Sequence, residues 1–154
     1  MKKTKEEQHE YLTRKHIRDV RKNIKILLKE ISLRAKEHDK SKLESPEKEI
    51  FAEANPKLAK VKYGSPDYEE MLKTIKPALE HHYSQNRHHP EHWPQGINDM
   101  DIVDLLEMLV DWAAASKRNL NGNIHRSIEA NTQRFNISEQ LKQILTNTVE
   151  RYFK

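Results

Sequence analysis

The sequence predicts an all-α protein, a single compact multi-helix domain over residues 1–154. Apolar residues recur at steps of three and four through long charged stretches, which is the helical period. Three glycines and 6% aromatic residues are too few for the turns and strand-forming side chains of an all-β fold. Start signals built from Ser, Asn and Asp punctuate the chain at helix-length intervals. A chain of 154 residues encloses one core, and with 35% hydrophobic against 34% charged residues that core is lean.

The first helix is expected over about residues 5–36. Leu12, His16, Val20, Ile24, Leu27, Ile31 and Ala35 form one apolar face there, with His16 embedded in it. Ser45-Pro46-Glu47 reads as N-cap, first-turn proline and acidic first turn. That helix is expected to run to about Ala54, to bury Ile50 and Phe51 and to stop at Asn55-Pro56. A connection up to Gly64 follows. Ser65-Pro66-Asp67 repeats the start signal, and the helix behind it carries Tyr68, Met71, Leu72, Ile75, Leu79 and His82 inward. Pro77 predicts a kink or a boundary near Lys76. The run from Asn86 to Gly96 reads as a rigid loop, with Pro90 holding His89 extended. Asn98, with Asp101 three residues on, is the expected cap of the most apolar helix, which runs from Ile102 to about Leu120 and stops at Asn121-Gly122. Asp104, Glu107 and Asp111 form an acidic line along it. Ile124, Ile128 and Phe135 predict one more helix. Ser138 caps a last one, with Leu141, Ile144, Leu145, Val149 and Tyr152 inward.

Composition narrows the chemistry. Without cysteine there is no disulfide and no thiolate site, so a metal must be held by nitrogen and oxygen. The charged start has no apolar signal-peptide core, and no apolar run approaches the eighteen or so residues that cross a bilayer. A cytoplasmic protein with no membrane partner is the expectation. The net charge of +4, with Lys and Arg crowding residues 2–42, suits either a solvated helix face or attraction of phosphate-bearing ligands.

Nine histidines are the anomaly, and five of them (His81, His82, His88, His89 and His92) fall within twelve residues. Imidazole and carboxylate together hold divalent first-row metals well. The chain supplies them as His16, the adjacent pair His38-Asp39, the group His82, His88 and His89, and Asp111. Neighbouring His and Asp lie about 100° apart on a helix and can reach one site. A carboxylate in the most apolar helix asks for a cation, with Glu107 as the supporting partner or base one turn earlier. Other readings stay open. Arg118 or a backbone cap can pair these acids, His16 and His82 can be hydrogen-bonded core residues, and His81 lies beside His82. The loop histidines can simply face water.

The string His38-Asp39-Lys40-Ser41-Lys42 resembles the HDxxK signature of the HD-domain metal-dependent phosphohydrolases. In that superfamily an upstream helical His, the HD pair and a later helical Asp bind the first metal, and some branches add histidines, including an HH pair, for a second. His16, His38, Asp39 and Asp111 match that order, and His82, His88 and His89 match the additional pattern. More closely, NRHHPEHW followed by MDIVDLLEMLVDW resembles a family of small uncharacterised proteins of bacteria and their phages. The likeness covers about residues 10–115; helices over 123–153 are expected to pack on that part. It implies an HD-domain-like fold and a metal-dependent hydrolase of a phosphate ester, a nucleotide or related small phosphoester. One or two divalent ions from Mn, Fe, Zn, Co, Ni and Mg are implied as cofactor. Lys42 and Arg87 are then expected to neutralise phosphate and Glu107 to orient the attacking water. A continuous helix would hold His16 about 33 Å from His38, so a break near Ser32 is expected, with His9 the alternative upstream ligand. The alternative function is a non-catalytic, metal-stabilised helical protein whose basic first helix binds nucleic acid or a protein partner. A lean core and Trp112 allow a monomer or a homodimer.

Overall fold

The structure, a computed structural model, describes residues 4–58, 61, 65–118 and 122–153. Among these residues it contains six α-helices and no strand: α1 (Lys5–Glu37), α2 (Glu47–Leu58), α3 (Pro66–Gln85), α4 (Ile102–Ser116), α5 (Ile124–Phe135) and α6 (Glu139–Tyr152). The all-α class expected from periodicity is the class observed. The chain divides into two units, residues 1–37 and 38–154.

The first unit is α1, with no Gly or Pro to interrupt it. The break expected near Ser32 is absent. The unbroken helix leaves His16 exposed and about 30 Å along the axis from Glu37. A lone helix encloses no core, and Leu12, Val20, Ile24 and Leu27 stay exposed instead of forming a buried face around His16.

In the second unit α2 packs on α3. α2 starts at Glu47 and runs through Pro56 to Leu58, past the expected stop, because a proline near the helix end removes only one backbone bond. Ile50 and Phe51 are half-buried, while Glu47 and Ala54 are buried. In α3, Ser65 accepts from the Tyr68 N–H as the cap, and the helix passes through Pro77 without a boundary. Ile75 and Ala78 on either side of Pro77, with His82, are buried, so tertiary packing holds both halves of the helix in line. The connection ending at Gly64 lies largely outside the described residues, as does Asn121, and α4 ends at Ser116, with Lys117 as its cap, short of the expected Leu120.

Asp101, not Asn98, caps α4. Its carboxylate accepts from the Val103 and Asp104 N–H groups, and Asp104 accepts in return from the Asp101 N–H, a capping box. Asn98 sits in a 3₁₀ turn, Gly96–Asp99. Helices α5 and α6 begin at Asn123 and Ser138 caps and enclose the apolar core with α4: Met108, Leu109, Ile128, Ile137, Leu145 and Val149. Trp112 packs on this core and stacks on Phe135 at 6.5 Å, so it is used within the chain. The inward stripe of α6 is Leu141, Leu145 and Val149. Ile144, turned about 100° from Leu145, is exposed, as is Tyr152 at the helix end, against expectation.

Leu109→Ala should lower the unfolding free energy by about 2–5 kcal/mol in denaturant titration. Ile144→Ala should move it by less than about 0.5 kcal/mol, and a large Ile144 effect would contradict this packing.

Candidate metal centre

His38 and Asp39 follow the end of α1. The expectation that they share a helix is corrected: Asp39 adopts the left-handed conformation, φ 56° and ψ 16°, which Asp tolerates better than most residues. The chain then enters a 3₁₀ turn, Lys40–Leu43. His82 lies in the last turn of α3 and is buried. His88 and His89 follow the α3 cap residue Asn86, and His89 is extended before Pro90, as its sequence predicts. Asp104, Glu107 and Asp111 share one face of α4, seven residues bringing Asp111 nearly under Asp104.

These segments bring His38, Asp39, His82, His88, His89 and Asp111 together. Ligand atoms of Asp39, His82, His88 and His89 lie within 4.8 Å of one another, as do those of His38, Asp39 and Asp111, and of His38, His88 and Glu107. The residues present can hold a metal ion. Asp39 is common to two of these groups. Its Oδ1 stands 3.4 Å from His82 Nε2 and 3.7 Å from His88 Nε2, while Oδ2 stands 3.6 Å from His38 Nε2. His38 Nε2 is also 3.8 Å from Asp111 Oδ1, and the Nε2 atoms of His82 and His89 are 2.9 Å apart. Bonds of about 2.0–2.1 Å to one ion place neighbouring ligand atoms about 2.9–3.4 Å apart. The 2.9 and 3.4 Å spacings fall in that range, and the 3.6, 3.7 and 3.8 Å spacings lie a few tenths of an ångström beyond it. Asp39 Oδ1 and His88 Nε2 are buried with no hydrogen-bond partner among the described residues, and such atoms call for a cation.

The opposite ring nitrogens are fastened. His38 Nδ1–H donates to Glu107 Oε1 at 2.8 Å, and His88 Nδ1 stands 3.1 Å from the same oxygen. His82 Nδ1–H donates to Glu47 Oε2 at 2.8 Å and His81 Nδ1–H to Glu47 Oε1 at 2.7 Å. Asn86 Nδ2 donates to Ser41 Oγ and to the His82 carbonyl, tying the α3 end to the 3₁₀ turn. With Nδ1 directed at a carboxylate, the Nε2 atoms of His38, His82 and His88 face the common point, the geometry of metal-ligating histidines. A bound cation would displace the Nε2 proton that the acidic neighbours of His38 favour.

Charge follows the same geometry. The Asp111 and Glu107 carboxylates push the His38 imidazole up to about 10, against burial. Burial alone would raise the Asp39 carboxyl, but the Lys42 ammonium, bonded at 2.6 Å, and the His38 and His82 rings outweigh it and hold it low. Burial likewise opposes, and His38 and His88 overcome, so that Asp111 is held low. Burial, helped by His88 and His82, drives His89 down to about 3, leaving it a neutral ring with a lone pair.

Arg87 is placed differently from its expected phosphate role. Its guanidinium reaches the Asp104 and Asp101 carboxylates and covers the Trp93 ring at 4.7 Å. The acidic line therefore splits, Asp104 serving the α4 cap and Arg87 while Glu107 and Asp111 serve the histidines. Arg118 forms no ion pair with these acids among the described residues. It lines, with Lys42, Lys48, Asp39, His82 and His89, a cavity of about 520 Å³. Sequence reasoning missed Glu47, Lys48, Ser41 and Asn86. Glu47 is wholly buried, yet its place after Ser45-Pro46 reads as a solvated first-turn acid.

Glu47→Ala should lower the melting midpoint by an amount equivalent to about 1–3 kcal/mol, because it strands the N–H of the buried His82. The exposed Glu44→Ala should change little. Equal midpoints for both variants would contradict the role given to Glu47.

No curated protein and no solved structure matches the chain. A family model matches residues 5–151, taking in α5 and most of α6 as well as the 10–115 stretch that carries the sequence motifs. The chain belongs to that family, described as a family of unknown function, DUF5662.

Proposed function

We propose that the protein is a metal-dependent hydrolase of a phosphate ester with an HD-domain-like site. The observation that carries this reading is Asp39: one carboxylate faces three imidazoles, His38, His82 and His88, and also borders a cation-lined cavity. His82, His88, His89 and Asp39 Oδ1 would hold one ion; His38, Asp111 and Asp39 Oδ2 would hold a second. When bound, divalent ions supply Lewis acidity that makes water nucleophilic near neutral pH and polarises a phosphoryl oxygen.

The chain's own residues do the rest. Glu107 and Glu47 fix the imidazole orientations, so the Nε2 atoms of His38, His82 and His88 are aimed at the common point. Lys42 sits at the cavity wall beside Asp39, where its ammonium offsets phosphate charge. Glu107 Oε1 is committed to two rings, which makes it a positioning residue for His38 and His88. Phe51 and Leu79 give the cavity an apolar wall for the organic part of a small phosphoester such as a nucleotide. His16, exposed on α1, has no part in this ligand set.

Elemental analysis of the purified protein after exposure to Mn²⁺ should give one to two ions per chain. The loaded protein should hydrolyse a generic phosphoester or a nucleotide, and Asp39→Ala should abolish this while far-ultraviolet circular dichroism stays helical. Glu107→Ala should weaken ion affinity about 10–100-fold. No uptake at micromolar metal would sink the proposal. Salt-dependent nucleic-acid affinity that survives Asp39→Ala would favour a non-catalytic binder instead.

A further inference from the structure

The cavity beside the ligand cluster carries more positive charge than the cluster uses. Three cations line it: Lys42, Lys48 and Arg118. Lys42 is bonded to Asp39 at 2.6 Å. Lys48, on the first turn of α2, and Arg118, just past the end of α4, have no carboxylate partner among the described residues. Asp39 is the one carboxylate among the described lining residues. Two full charges therefore face the cavity from two different elements, on the same wall system as His82 and His89.

We propose that Lys48 and Arg118 are specificity-determining residues that select a dianionic phosphate, so the substrate class is an organic phosphomonoester and not a phosphodiester. The inference rests on the hydrolase reading of the same site and names its substrate class. A monoester carries two negative charges on the terminal phosphate near neutral pH, a diester one. Two unmatched cations are satisfied by the first and leave one charge uncompensated with the second. Arg binds a phosphate through two N–H groups and Lys as a point charge, and a cleft concentrates the field of both. The volume, about 520 Å³, exceeds what a bare phosphate fills and lies within the range of small-ligand sites. Phe51 and Leu79 also line the cavity and supply apolar surface that suits the ester's organic group.

The test compares p-nitrophenyl phosphate with its methyl ester, which keeps the leaving group and removes one charge. With the Mn²⁺-loaded protein at mildly alkaline pH, the KM for the monoester should lie about tenfold or more below that for the methyl ester. Lys48→Ala and Arg118→Ala should each raise the monoester KM about tenfold and the methyl-ester KM much less. Both residues are exposed, so both variants should fold. Inorganic phosphate titrated calorimetrically into the same proteins gives an independent reading, and each substitution should weaken its binding about tenfold. Equal KM values for the two esters, or phosphate affinity unmoved by both substitutions, would overturn the assignment. Should neither ester turn over, the hydrolase reading fails while the phosphate titration still decides whether Lys48 and Arg118 form an anion subsite.

Discussion

The second unit is organised around imidazoles held by buried carboxylates. Glu107 on α4 takes the Nδ1 side of His38 and stands against that of His88, and Glu47 on α2 takes those of His81 and His82. An imidazole fastened at one nitrogen has its other nitrogen aimed. Two glutamates therefore set three rings from separate segments so that their Nε2 atoms meet around Asp39. Remove either carboxylate and the rings lose both their tautomer and their direction.

This arrangement also explains how so lean a chain tolerates so much buried polarity. The larger apolar cluster lies among α4, α5 and α6, while of their apolar residues α2 and α3 bury only Ala54, Ile75 and Ala78. Where α2, α3 and the 3₁₀ turn meet, Glu47, His82, Asn86 and His88 are buried instead. Polar groups are buried at a cost unless they are hydrogen-bonded, and here nearly every such contact is reciprocal. Among the exceptions, Asp39 Oδ1 and His88 Nε2 stand 3.7 Å apart and point to one place. On the proposed reading, a cation at that place would turn its binding free energy into folding free energy for the half of the unit with the smaller apolar core.

Electrostatic division of labour along α4 separates structure from chemistry. Asp104 serves the N-terminal cap and Arg87, which closes the loop after α3 onto the start of α4. One and two turns later, Glu107 and Asp111 face His38. The same helical face thus first anchors the histidine-bearing loop and then supplies its carboxylates. The cations that remain, Lys48 and Arg118, border the adjoining cavity, where no other acid competes for them among the described lining residues.

Much of this was legible in the chain by itself. The helical period, the Ser65 and Ser138 caps and the extended His89 before Pro90 are local consequences of side-chain chemistry, and local chemistry is what a sequence displays. The ligand types were legible too, because a chain without cysteine but with clustered histidines and an aspartate in its most apolar helix leaves few partners for a cation. What the sequence misjudged were interactions among distant residues. The helix through Pro77 survives because buried neighbours outweigh one lost bond, and no local rule reports those neighbours. Glu47 looks like an ordinary first-turn acid until His81 and His82, 34 and 35 residues away, are brought beside it. His16 has the right residue type on an apolar stripe, but an unbroken α1 carries it away from the helix end. Residue type and local conformation were decided by sequence; which carboxylate meets which imidazole was decided only by the tertiary structure, because that pairing depends on where separate helices come together.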